Sequence, residues 1–219
     1  MNIYTLVEGE IGAKIVYGNW FKFVNPDLTY VDYIDQVHNN NIYIIAGFGY
    51  PFYFNMIKNA LEDIKVNSIF DRIVIAVDSE DLSFEEKKVE IENYLNKFKY
   101  NIDIKIIIQH FCLETWALGN KSINSRFVFS KKLKEYKKFF DFYKNDPELM
   151  PPYEKDQLNR AQFAYVYLRA LLSEKNRNLT YTKKNTKSII SEPYFLQIKK
   201  RYTEFNHIKS FKSFLDAFN

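Results

Sequence analysis

The chain has 219 residues, 47% hydrophobic, 18% aromatic and 26% charged, which supports a sizeable core and excludes a disordered tail or a small disulfide scaffold. Its net charge of +4 conceals a division: residues 1–130 carry 12 Lys/Arg against 17 Asp/Glu (−5), and residues 131–219 carry 19 against 10 (+9). One cysteine, Cys112, excludes an internal disulfide and a cysteine-based zinc cluster and fits a reducing cytoplasm.

Residues 3–7 form a short β-prone run ending at Glu8-Gly9, and 10–23 read as a helix carrying Ile11, Ile15, Val16 and Phe21. A second apolar run, 42–46, ends at Gly47-Phe48-Gly49, and Pro51 opens a helix to about residue 65. The third run, 73–77, stops at Asp78-Ser79-Glu80-Asp81, and Ser83 with Glu85 and Glu86 marks the start of a helix over 84–98. A fourth run, 102–108, leads to His110 and a short helix around 113–118. Continuous apolar strands alternating with helices predict a mostly parallel α/β sheet covered on both faces. All six glycines lie at or before Gly119. The remainder shows helical periodicity at about 131–145, 154–175 and 192–202, with a polar basic connection over 176–191. The expected organisation is a Rossmann-like domain over 1–125 and a basic helical region over 126–219 packed on it.

Ligands of open α/β sheets bind at the carboxyl ends of the strands. Glu8 ends the first strand, and Asp78 and Glu80 end the third. Two carboxylates two residues apart on a turn can face one hard cation, and Glu8 can complete the cage. A helix cap or a solvated turn is the ordinary role of any one such carboxylate.

Leu6-Val7-Glu8-Gly9-Glu10 followed by a helix, then a strand ending Val77-Asp78-Ser79-Glu80, resembles a TOPRIM domain, with a glutamate after the first strand and Asp-x-Asp after a later one. Phe111-Cys112-Leu113-Glu114-Thr115-Trp116-Ala117-Leu118 is similar to an element of the small TOPRIM proteins related to RloB and to OLD-type nucleases, many of them associated with phage defence. Tyr181-Thr182-Lys183-Lys184 and Ser210-Phe211-Lys212-Ser213-Phe214 resemble the same group. The resemblance covers about 120 residues well and the helical remainder loosely. It implies Glu8 as metal ligand or general acid/base, Asp78 and Glu80 as Mg²⁺ (or Mn²⁺) ligands, and Glu114 as a helper for a second metal or a water. Glu80 stands where the family has aspartate, so Glu80 and Asp81 are alternative ligands.

The basic half offers phosphate contacts through Lys183, Lys184, Lys199, Lys200 and Arg201. The lysines of 131–138 are interleaved with Leu133, Tyr136, Phe139 and Phe140, which reads first as a solvated face above a core stripe. The 20 Phe and 17 Tyr accompany abundant Asn, Lys and Ile, a bias of AT-rich coding, and are not read as base-stacking platforms. Gly47-x-Gly49 is an incomplete dinucleotide fingerprint, and no Gly-x-x-x-x-Gly-Lys-Ser/Thr occurs, so any ATPase is a separate partner protein. No stretch reaches the ~18 apolar residues of a membrane span, and no leader pattern opens the chain. A soluble cytoplasmic protein is expected, with DNA or RNA as partner, no membrane association and a homodimer open. The readings carried forward are a Mg²⁺-dependent TOPRIM nuclease in anti-phage defence and a non-catalytic TOPRIM-like subunit that docks on nucleic acid or an ATPase.

Overall fold

The computed structural model describes residues 1–124 and 127–219. Its framework is a five-stranded parallel sheet. The strands are β1 (Ile3–Val7), β2 (Thr29–Val31), β3 (Asn41–Ala46), β4 (Arg72–Asp78) and β5 (Asp103–Gln109), in the order β2-β3-β1-β4-β5. β1 lies between β3 and β4, with Val7 opposite Ala46 on one side and Ala76 on the other. All five residues of β1 and residues 73–77 of β4 are buried, as the unbroken apolar runs require of central parallel strands. Helices α1 (Ile11–Trp20), α2 (Phe52–Asn67), α3 (Phe84–Leu95) and the short α4 (Leu113–Ala117) follow β1, β3, β4 and β5. The later chain is helical: α5 (Lys131–Phe139), α6 (Arg160–Lys175), α7 (Glu192–Phe205) and α8 (Phe211–Phe218).

The chain divides into two compact units. The first comprises residues 1–77, 84–108 and 213–219, and the second comprises 78–83 and 109–212. The expected boundary at 125/126 falls on Ser125 and Arg126, outside the described residues. In the first unit Tyr4, Leu6, Tyr53, Ile57, Ile75 and Ile91 belong to one core cluster. The chain terminus joins that unit through Phe214, whose ring lies 5.2 Å from Tyr17 and 6.0 Å from Trp20. In the second unit Phe163 stacks between Tyr153 and Tyr167, and Trp116 meets Phe211 edge-on.

Several boundaries differ from the sequence reading for local reasons. The helix expected over 154–175 begins at Arg160, because Asn159 and Gln162 form a reciprocal capping box there. The helix expected to reach 145 ends at Phe139, where Phe140 turns extended and its carbonyl accepts the Tyr167 hydroxyl. β2 has only three residues and no readable alternation. Among the described residues no helix is long and apolar enough to cross a membrane.

Candidate active site

The acidic positions fall on both units. In the first, Glu8 follows β1 and is 9% exposed. Its N–H donates to the Ala76 carbonyl at 2.8 Å, and its carbonyl accepts from Gly49 at 2.8 Å. Gly47 approaches so closely that a Cβ there would lie 3.0 Å from the Val7 carbonyl oxygen and 3.1 Å from Glu8 Cα, so the Gly47-Phe48-Gly49 turn needs glycine to pass the β1 end. Beside Glu8, burial and then the charges of Glu90 and Glu8 push the Tyr53 phenol far above its ordinary value. Lys87 is buried and pairs with Glu90 at 2.7 Å. Sequence reasoning missed Lys87, yet it stands with Ile91 and Leu95 at spacing 87/91/95, a lysine on the apolar stripe of α3.

The second unit gathers Asp78, Glu80, Asp81, Glu114 and Lys183. The turn after β4 is held by backbone bonds from Ser79 to the Gln109 carbonyl (3.0 Å) and from Glu80 to the Phe111 carbonyl (2.9 Å). Ser79 is fully buried, and its hydroxyl shares a 2.8 Å hydrogen bond with His110 Nδ1. Burial, then the nearby Arg160 charge, lowers the His110 pKa. Asp78 is half-buried, whereas Glu80 (φ 51) and Asp81 are exposed.

Glu114 could have been an exposed helix residue. Instead it is 4% exposed and accepts the Tyr181 hydroxyl at 2.9 Å. Tyr181 leads into a tight turn closed by reciprocal 3.0 Å bonds between Thr182 and Asn185, with Lys183 and Lys184 at its tip. Desolvation pulls the Lys183 pKa down, but Glu114, Asp78, Cys112 and Glu80 together raise it above the ordinary lysine value. Cys112 is buried, and desolvation followed by Glu114 and Asp78 lifts its thiol well above the usual range, which leaves it protonated and unsuited to nucleophilic work.

The expected phosphate contacts separate. Lys183, Lys184 and Lys199 are exposed, and Lys200 is exposed and pairs with Glu204 at 3.5 Å. Arg201 is a correction: it is 1% exposed, and its guanidinium donates to the Phe142, Tyr143 and Asn145 carbonyls. It stands on the inner face of α7 between Ile198 and the exposed Lys200, a position that its helical spacing from Tyr194 and Ile198 indicates.

The acidic side chains of this unit, Asp78, Glu80 and Glu114, offer only oxygen donors, and the exposed Lys183 is their neighbouring cation. Among the described residues no group of three His, Cys, Asp or Glu side chains is disposed to hold a metal ion by itself. Oxygen donors suit Mg²⁺ or Mn²⁺, and Mg²⁺ commonly takes one or two protein carboxylates and completes its shell with water and substrate phosphate. No family model, curated protein or solved structure matches the chain.

Proposed function

We propose that this chain is a TOPRIM-like, metal-dependent phosphodiester hydrolase acting on DNA or RNA, with Asp78, Glu114 and Glu80 as its acidic centre and Lys183 as a phosphate ligand. The observation that carries the reading is the meeting of three chain segments: the turn after β4 is hydrogen-bonded to the Gln109 and Phe111 carbonyls ahead of α4, and Tyr181, two residues before Lys183, is hydrogen-bonded to Glu114 of α4. A cation would be shared between these carboxylates and the substrate, and when bound it would polarise the phosphodiester and stabilise charge on the departing oxygen. Tyr181 fixes one oxygen of Glu114 and leaves the other for a cation or a water. The three ammonium donors of Lys183 suit the non-bridging phosphate oxygens. In the reaction a water oxygen bonds to phosphorus, the bond to one sugar oxygen breaks, and the water proton ends on that leaving oxygen. A setting in anti-phage defence is part of the same proposal and rests on the resemblance.

The test is incubation of the protein with plasmid, single-stranded DNA and total tRNA, with and without Mg²⁺ or Mn²⁺. Cleavage of at least one substrate that disappears in Asp78→Ala and Glu114→Gln supports the proposal, and Glu8→Ala shows whether the β1 carboxylate serves the same chemistry. Equal cleavage by wild type and all variants contradicts it.

One observation favours a second reading, a non-catalytic nucleic-acid-binding or regulatory subunit with an ATPase partner. Lys183 already supplies a cation to the acidic group, and Glu80 is exposed on a left-handed turn. Under that reading no substrate is cut and Asp78→Ala binds nucleic acid as well as wild type.

A further inference from the structure

The first unit carries an apolar cavity of about 630 Å³ at the carboxyl ends of β1 and β3, within the range of small-ligand sites and on the side where open parallel sheets bind them. Its walls come from Ile11, Ile15 and Gly18 of α1, with Tyr30 and Phe48. Lys14, Lys22 and one carboxylate, Glu10, also line it, and among the described residues neither lysine has an ion-pair partner.

Two features show that the space is not a packing accident. Phe48 is 58% exposed at φ 62, a backbone region that bulky residues reach only when their surroundings hold them there. The holding bonds are Gly47 N–H to the Val7 carbonyl at 2.6 Å and Gly49 N–H to the Glu8 carbonyl at 2.8 Å. Gly18 sits inside α1, where alanine would favour the helix. A Cβ there would meet Ile44 and Tyr30 at an ordinary 3.8 Å, so packing does not demand glycine. Its missing side chain keeps the cavity wall open.

We infer that this cavity takes an unpaired nucleobase of a nucleic-acid strand, the ring lying against Phe48 and the flanking phosphates at Lys14 and Lys22. An apolar slot with an exposed aromatic wall and two cations against the one carboxylate of Glu10 matches a flat ring with anionic links on either side. A base paired inside a duplex cannot present that ring. The inference rests on the nucleic-acid reading above and narrows the substrate to strands with unpaired nucleotides.

The test is fluorescence anisotropy in EDTA, so that cleavage plays no part. The probes are a labelled single strand of about ten nucleotides, within the ~4–16 nucleotides typical of such sites, the matching blunt duplex, and a free nucleoside monophosphate. The single strand is expected to bind best. Phe48→Ala should weaken it by about 5- to 140-fold, the loss of one base stack, with the duplex unchanged. Phe48→Trp should retain binding, whereas Gly18→Leu, which fills the slot, should lose it. Thermal melting checks that each variant folds. Unchanged single-strand binding in both Phe48→Ala and Gly18→Leu overturns the inference, as does equal affinity for the free monophosphate. Self-association that vanishes in Phe48→Ala, without any preference for single strands, also overturns it by making the patch a protein contact. The hydrolase reading is separable. Cleavage with unchanged binding in Phe48→Ala contradicts the cavity alone, whereas Phe48-dependent binding without cleavage contradicts the hydrolase alone.

Discussion

Tyr181 donates its hydroxyl to Glu114 across 2.9 Å and 67 positions of chain, with both side chains 4% exposed or less. The bond ties the loop before the Lys183 turn to Glu114 on the short helix after β5. Tyr181→Phe removes the donor and leaves a buried carboxylate oxygen short of a partner. The expected cost is about 1–3 kcal/mol, read by urea denaturation, together with a fall in cleavage. Full stability and full activity in this variant would mean that the contact positions nothing.

Lys183 and Lys184 occupy the same turn tip and differ in what they face. Both are exposed, and the charges of Glu114, Asp78 and Glu80 act to raise the Lys183 pKa. Lys183→Met should lower cleavage by about 10²–10³-fold, the scale of losing one electrostatic donor to developing charge. Lys184→Met, at the neighbouring exposed position, should stay within a few-fold of wild type. Equal effects of the two substitutions would reduce Lys183 to part of a general basic surface.

Glu148 makes stability depend on pH. Burial pushes its carboxyl up to about 7 from the ordinary 4.5, against the opposing pull of hydrogen bonds from Ser210. Ser210 also accepts the Trp116 indole N–H at 2.6 Å, so the group is bound into the second unit's core. The folded state therefore keeps a proton that the unfolded chain gives up near 4.5. This contribution is complete below about 4.5 and is lost as pH rises through about 7, to a limit of about 3 kcal/mol. Denaturation of wild type should show lower stability at pH 8 than at pH 5 relative to Glu148→Gln, whose side chain does not titrate. The comparison is between the two proteins because the lowered pKa of His110 acts in the opposite direction. Parallel pH profiles would contradict the burial argument.

Arg201 should behave as a structural residue. Arg201→Met leaves three backbone carbonyls without their donor and should cost about 3–9 kcal/mol, at about 1–3 kcal/mol for each unsatisfied group. The double change Lys199→Ala and Lys200→Ala should move stability by no more than about 0.5 kcal/mol, and it should flatten the salt dependence of nucleic-acid binding if these lysines meet phosphate. A stable Arg201→Met protein with weakened binding would return Arg201 to the surface role its sequence position first indicated.

The parallel sheet was legible because β1, β3, β4 and β5 are apolar runs, the first three closed by glycine or acidic turns, a pattern that depends on neighbours in sequence. The turn after β4 was legible for the same reason. Less accessible was anything decided by a partner far along the chain. Glu114 is buried because Tyr181 reaches it, and Arg201 because the 142–145 carbonyls do. β2 was too short for periodicity to register, and α8 was read only as a motif because its anchor is Tyr17 and Trp20 near the opposite end of the chain. Phe48 was hidden by composition. Among 20 phenylalanines nothing in the sequence marks the one held outward on a left-handed backbone.

The most direct test of the central claim is the Mg²⁺-dependent cleavage of a labelled single-stranded substrate by wild type and by Asp78→Asn, which keeps the side-chain volume and removes the charge. The expected result is cleavage by wild type that EDTA abolishes, and loss of cleavage in Asp78→Asn without loss of folding or of binding in EDTA. Undiminished cleavage by Asp78→Asn, or wild-type cleavage that persists in EDTA, would contradict it.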